Sequence, residues 1–433
     1  MDYYVLAAIV IFLITYGLII SEKVHRTVIA LVGAMIMVLV GIITQEEAVH
    51  VIDFNTLALL TGMMVQVHIL GKTGLFKYLS VWAVQKTRGN PVLLLIALST
   101  LVAVCSAFLD NVTTVLLTVP VTFAVTRDLK VSPYPFVFAQ ILASNIGGTA
   151  TMIGDPPNIM IASSEAAKAA GIDFMAFIRV LGLPCVFIFI VTMALIVLIF
   201  RKQLVTSPET RMRVMQIKTA GLIRCRRLLV KCGISLGFTI ILFCLHGRVP
   251  GWDLESGSAA LAGAALLLLI SMPDRTERLE EVFAKVEWTT IFFFIGLFIL
   301  VGGLEMQGII KWMAQQATDL TGGDVTASTM VILALSAVMS SFVDNIPFVA
   351  TMIPLIKDML VNGSKEPLWW ALSMGACLGG NGTVIGASAN VVALAIARKH
   401  GLEVSFLQFM KYAFPLMLLS IAISALYLWI AFL

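Results

Sequence analysis

Long apolar runs dominate the chain and alternate with short polar or basic stretches. Tyr4 to Ile20, Val28 to Ile43, Val180 to Phe200, Cys232 to Cys244, Ala259 to Met272 and Phe414 to Leu433 are long enough, with their flanks, to cross a hydrocarbon core as helices. One stretch inside this pattern breaks the rule. SNIGGTATMIGDPPNIM, residues 144–160, sits between apolar segments but carries two adjacent prolines, three glycines and, beside the break, Asp155. A helix must stop there.

Composition agrees with the pattern. Of 433 residues 59% are hydrophobic and 12% charged, far more apolar surface than one water-soluble core buries. The expected fold class is therefore an all-α polytopic membrane protein. The first run has no basic leader or small-residue cleavage site and is expected to be a retained span. A net charge of +4 calls for no nucleic acid, because the basic residues cluster in loops. The six cysteines lack metal-type spacing, so neither a disulfide framework nor a metal site is expected, and no cofactor is implied.

Loop charge orients the spans. Arg201 to Lys231 holds nine Lys or Arg and one acid, which predicts a cytoplasmic loop. Lys23 and Arg26, the group from Lys72 to Arg88, Arg127 and Lys130, Arg275 to Lys285, and Arg398 with Lys399 can share that side. They do so only if the segment between Arg88 and Arg127 enters and leaves on one face. This predicts a re-entrant hairpin, or a pair of very short spans, with Leu109 to Thr114 at its tip, and both termini outside a cell (plasma) membrane.

The polar positions repeat. Asp110-Asn111 recurs as Asp344-Asn345, an offset of 234, which also relates Gly62 to Gly296, Gly74 to Gly308, Phe108 to Phe342 and Pro120 to Pro354. GGTATMIGDPPN from Gly147 aligns with GGNGTVIGASAN from Gly379 at an offset of 232, matching Thr151 with Thr383, Gly154 with Gly386 and Asn158 with Asn390. The expected organisation is a first repeat over 1–200, a basic linker over 201–228 and a second repeat over 229–433. Five crossings per half, an odd number, would invert the second repeat relative to the first. Inverted repeats with interrupted helices belong to secondary transporters, whose sites lie where the breaks meet.

Unwound backbone in a membrane leaves amides and carbonyls unpaired, at several kcal/mol each, roughly, unless it lines a polar cavity. The breaks thus predict a site. Gly147, Gly148 and Gly154 are expected to supply torsions closed to other residues, and Pro156 and Pro157 to stop the helix. Asn111, Thr113, Thr149, Thr151, Asn158, Asn345, Asn381, Thr383 and Asn390 offer hydrogen bonds, with Gly148 and Gly380 opening space for a solute. The second break has Ala387-Ser388-Ala389 where the first has Asp155-Pro156-Pro157, so one carboxylate is unique to the first half.

FLDN, SNIGGTATMIGDPPN, FVDNIPF and GGNGTVIGASAN resemble the arsenite efflux permease and melanosomal P-protein branch of the ion transporter superfamily, which also includes sodium/proton antiporters and citrate and dicarboxylate carriers. The resemblance runs from Asp53 to Leu433. It implies a scaffold, a transport domain that carries the hairpins and breaks and moves like an elevator, and often a homodimer. In some arsenite permeases a soluble ATPase also docks on the cytoplasmic side.

Both tips carry an acid where the dicarboxylate carriers have neutral donors, which disfavours a polyanionic substrate. Neutral arsenous or antimonous acid needs only hydrogen-bonding partners, leaving Asp110, Asp344 and Asp155 to carry protons for export of arsenite or antimonite. A sodium/proton antiporter, or a transporter of another inorganic or organic anion on the same fold, is the rival reading. Blander roles also fit: Asp110 and Asp344 are good helix N-caps, Asp155 suits a turn, and His68, Gln66, Cys105 and Cys377 suit packing. An enzyme is not expected, since the spans lack HExxH, and GISLG at Gly233 lies in an apolar span without a nucleophile elbow.

Overall fold

The computed structural model describes residues 3–21, 23–215, 221–245, 254–272 and 278–433. Among them the fold is all helical, with no strand. Among the described residues eight helices are long and apolar enough to cross a membrane: Tyr3–Ser21, Phe54–Lys72, Pro91–Phe108, Phe174–Gln203, Arg226–Leu245, Trp288–Met306, Val325–Phe342 and Phe406–Phe432. Arg26–Leu39 and Ser256–Ser271 are shorter apolar helices. The run expected to reach Ile43 ends as helix at Leu39, and Gly41 takes a left-handed φ of +80° just beyond it.

Polar residues set the helix starts. Asn90 accepts from the amides of Val92 and Leu93, with Pro91 at the first turn, where its missing N–H costs nothing. Asp53 caps Phe54–Lys72 through the Thr56 amide. Asp110 and Asp344 each cap the helix that follows, Asn111–Asp128 and Asn345–Asp358.

Helix boundaries follow the offsets of the polar residues. Phe54–Lys72 and Trp288–Met306, and Pro91–Phe108 and Val325–Phe342, are related by 234, and Phe174–Phe200 and Phe406–Phe432 by 232. The packing repeats as well. Gly62 lies so close to the Ala260 backbone that a Cβ would stand 2.6 Å from its carbonyl carbon, and Gly296 meets Ala30 in the same way at 2.8 Å. Each half thus lends a glycine-faced helix to a short helix of the other half, which sets Ser256–Ser271 against Arg26–Leu39 at an offset of 230. Gln66 joins this packing: its amide donates to the Ala260 carbonyl and its oxygen accepts from Ser235 and Thr239.

The basic segment after Phe200 contains a helix, Pro208–Met215, and the next apolar helix starts at Arg226, within the expected linker. Residues 216–220 of that segment, and Arg275 of the later basic group, lie outside the described residues.

Candidate functional site

Two helix pairs are interrupted where the sequence breaks. Tyr134–Thr149 is followed by Pro156–Ser163, and Glu366–Gly379 by Ser388–Lys399. Each interruption is tied by the asparagine after it. The Asn158 amide donates to the carbonyls of Gly148, Thr149 and Thr151 at 3.3, 3.2 and 2.9 Å, and that of Asn390 to Gly380 and Thr383 at 2.7 and 2.8 Å. Carbonyls freed by the break are thereby satisfied inside the protein.

The threonines and flanking serines do equivalent work. Thr151 donates to the Ala107 carbonyl and Thr383 to that of Ser341, while Ser106 and Ser340 donate to the carbonyls of Ser144 and Ala376, each at 2.6 Å. Thr149 bonds back to the Asn145 carbonyl. Thr113 gives both its amide and its hydroxyl to Asp110, at 2.8 and 2.7 Å. These donors hold backbone and caps in place.

The glycines act through space and not through torsion. Gly147, Gly148, Gly154, Gly380 and Gly386 are all absent from the left-handed region, contrary to the expectation of special torsions. A Cβ on Gly148 would lie 2.7 Å from the Gly154 carbonyl oxygen, one on Gly147 2.2 Å from that of Ala103, and one on Gly386 2.7 Å from that of Gly380. The two ends of each break touch, backbone on backbone, and a methyl group cannot fit between them.

A network of amides joins the halves at the centre. The Asn145 side chain donates to the side-chain oxygens of Asn381 and Asn390, both at 2.9 Å, and accepts from Asn111 at 3.2 Å. Asn158 in turn accepts from Ser373 and from the Cys377 thiol. The Asn345 amide donates to both oxygens of Asp155, at 3.2 and 3.4 Å, and Asp155 is 1% exposed.

A cavity of about 160 Å³ lies against this network. Asp110, Asn111, Asp155 and Asn345 line it, together with Arg26, Glu287 and Thr290. The Asn111 side-chain oxygen is buried and has no hydrogen-bond partner among the described residues. Asp344 lines an adjoining cavity of about 300 Å³, where it accepts from Arg26 at 2.5 Å and Ser388 at 2.8 Å. The structure therefore brings Asp110, Asn111, Asp155 and Asn345 to one cavity and sets Asp344 in its neighbour. Thr151, Thr383, Asn158 and Asn390 stand behind the wall, and Asn381 reaches the centre through Asn145.

Sequence reasoning missed Asn145, Arg26 and Glu287. Asn145 was visible in the broken stretch, but its repeat partner is Cys377, so a search for matching polar pairs passes over it. Arg26 reads as loop charge beside a span, and Glu287 is an acid just outside an apolar run with no motif around it. Their distance from the tips in sequence hides that they face them.

Residues 16–375 match the family model described as citrate transporter. The chain is 39% identical over 434 residues to the 46 kDa membrane protein of Mycobacterium leprae, with 98% of each covered. It is 41% identical to an uncharacterized transporter of Mycobacterium tuberculosis, again with 98% of each covered. The P protein of Mus musculus is 36% identical over 99% of this chain, which spans 60% of that protein's length. In fold the chain is similar to the Alcanivorax borkumensis YdaH transporter, with a TM-score of 0.61, 15% identity, and 100% and 99% of the two chains covered. It is similar to Neisseria gonorrhoeae MtrF with a TM-score of 0.64, 12% identity, and 100% and 95% covered. A multi-pass helical chain whose broken helices meet at a buried amide network, and whose relatives are matched over nearly its full length, belongs to the citrate transporter family of secondary transporters, in its P-protein branch.

Proposed function

We propose that this protein exports a small neutral hydroxylated solute, arsenous or antimonous acid, in exchange for protons. The observation that carries this reading is the chemistry of the 160 Å³ cavity, where three carboxylates, Asp110, Asp155 and Glu287, share the lining with one arginine, Arg26, and with His25. Three carboxylates around so small a space oppose a polycarboxylate such as citrate. Two like charges 5 Å apart repel by about 3 kcal/mol at an effective dielectric near 20. A neutral trihydroxide escapes that cost. It can donate to the Asn111 oxygen and to the carboxylates and accept from amides, leaving the acids to take up protons on one side and release them on the other.

Two inverted repeats would supply the motion. The hairpins tipped by Asp110 and Asp344 and the two broken helices form the moving part in this reading, against a scaffold containing Arg26–Leu39 and Ser256–Ser271. The basic loops lie in the cytoplasm, both termini lie outside, and a homodimer and a docked soluble ATPase are compatible partners. The repeated helix boundaries support the arrangement.

A sodium/proton antiporter is the second reading, favoured by the same carboxylates. Uptake into everted vesicles of arsenite, antimonite, sodium and citrate, compared with and without an imposed proton gradient, separates the cases. Gradient-dependent accumulation of the trivalent metalloids alone supports export. Accumulation of sodium or citrate alone replaces that reading.

A further inference from the structure

Charge is distributed unequally between the two halves. Arg26, at the start of helix Arg26–Leu39, holds the Asp344 carboxylate at 2.5 Å, and its guanidinium stacks 5.0 Å above the ring of Phe293. One end of this contact belongs to the packed pair Arg26–Leu39 and Trp288–Met306. The other is a hairpin tip. Asp344 is bound further to Ser388 of the second broken helix and to the Ile346 amide. Arg26, Ser388 and Val392 line both the 160 and the 300 Å³ cavities, so the ion pair stands where the two adjoin.

The repeat shows what the corresponding contact in the other half would be. At the offset of 230 that relates Ala30 to Ala260, the position equivalent to Arg26 is Ser256, and the equivalent of Asp344 is Asp110. Exchange of the two halves' conformations would bring Asp110 opposite a serine hydroxyl, which can donate one hydrogen bond but cannot neutralise a carboxylate. Such exchange also requires Arg26 and Asp344 to part, and separating partners of a partly buried ion pair leaves both charges poorly solvated.

We propose that the Arg26–Asp344 pair is a one-sided latch, which holds the carrier in the conformation seen here and has no charged counterpart in the opposite one. The proposal rests on the reading of the protein as a carrier alternating between two pseudo-symmetric states. Arg26 then decides on which side the empty carrier waits. Each transport cycle must open the latch, and Arg26 acts as a positioning residue through Asp344.

Two reporters read the two states. Val392 lines the cavities beside Arg26, and its repeat equivalent, Met160, lines a separate cavity of about 310 Å³ with Asp53 and Glu305. Each is replaced by cysteine in a background lacking the six native cysteines. A membrane-impermeant sulfonated maleimide is then applied to everted and right-side-out vesicles.

The expected result is that Arg26→Gln slows modification of Val392→Cys and speeds that of Met160→Cys, each by about fivefold or more. Arg26→Lys keeps the charge and stays closer to the parent. Asp344→Asn reproduces Arg26→Gln, and the double variant adds nothing to either. Opposed changes at reporters in two separate cavities are not what general loosening of the fold produces. Unchanged rates in Arg26→Gln, or both rates rising together, overturn the latch alone, provided the parent protein reacts from one face at each reporter. Reaction of both reporters from both faces in the parent overturns the carrier reading, and the latch with it.

Discussion

Asn145 donates through its side-chain amide to the Asn390 oxygen at 2.9 Å, joining the first broken helix to the second at the centre of the protein. The same amide reaches Asn381, and the Asn145 oxygen accepts from Asn111 at the first tip. One residue thus links three elements that a carrier would have to move as a unit. Removing it leaves buried amide groups without partners, at about 1 to 3 kcal/mol each.

Asn145→Ala is accordingly expected to lower the thermal midpoint of the detergent-solubilised protein and to reduce transport sharply. Asn145→Asp keeps the shape but loses both donors and sets a carboxylate against two amide oxygens, so it should be worse. Thermal unfolding monitored alongside vesicle uptake checks both. An Asn145→Asp variant as stable and active as the parent would show that the network is incidental.

The glycines of the breaks give a steric prediction. A Cβ at Gly148 would stand 2.7 Å from the Gly154 carbonyl oxygen, whereas a Cβ at Gly182 would meet nothing within 4 Å. Gly148→Ala should abolish transport, with overpacking costing about 1 to 3 kcal/mol, while Gly182→Ala should leave transport intact. Expression, thermal midpoint and uptake of the two variants test the contrast. Equal activities would mean that the backbone contact closing the break is dispensable.

Much of this was legible in the chain. The offsets of 234 and 232 came from Asp-Asn pairs and Gly-Thr-Asn patterns, and helix starts at Phe54 and Trp288, or Phe174 and Phe406, fall on the same offsets. Polar residues in an apolar chain are costly, so their spacing carries information that Leu and Val do not. The roles of individual side chains were less legible. Asn158 and Asn390 looked like solute ligands, but their amides serve the broken backbone, because freed carbonyls nearby claim them first. Arg26 looked like a topology signal, since only the three-dimensional structure brings residue 26 beside residue 344.

The basic loops predict a sidedness that labelling can test. Ser207, in the segment after Phe200, and Ser364, in the turn before Glu366–Gly379, are both exposed. Cysteine at Ser207 should react only with reagents that reach the cytoplasm, and cysteine at Ser364 only from outside. Differential labelling of intact cells and everted vesicles is the measurement. Labelling of both from one face would remove the inverted arrangement of the two repeats.

The acids divide by partner, and this sets the last expectation. Asp110 accepts from the Thr113 amide and hydroxyl and faces the 160 Å³ cavity, while Asp344 is held by Arg26. Asp155 lies in the same cavity with the Asn345 amide on its oxygens. A charged aspartate near the bilayer centre costs about 2.5 to 3.5 kcal/mol on insertion scales, and asparagine caps a helix as well, so capping alone does not explain an acid at residue 110. If Asp110 and Asp155 carry the coupled protons, Asp110→Asn and Asp155→Asn keep the cap and cavity shape but cannot titrate. Each should still equilibrate arsenite across the membrane but fail to accumulate it in everted vesicles under an imposed proton gradient. Asp344→Asn should differ in kind: it frees Arg26, so the rate of exchange and the resting side should change even without a gradient. Wild-type accumulation with unchanged pH dependence in both Asp110→Asn and Asp155→Asn would assign these acids to structure. The coupling would then have to be sought at Glu287, in the lining of the same cavity.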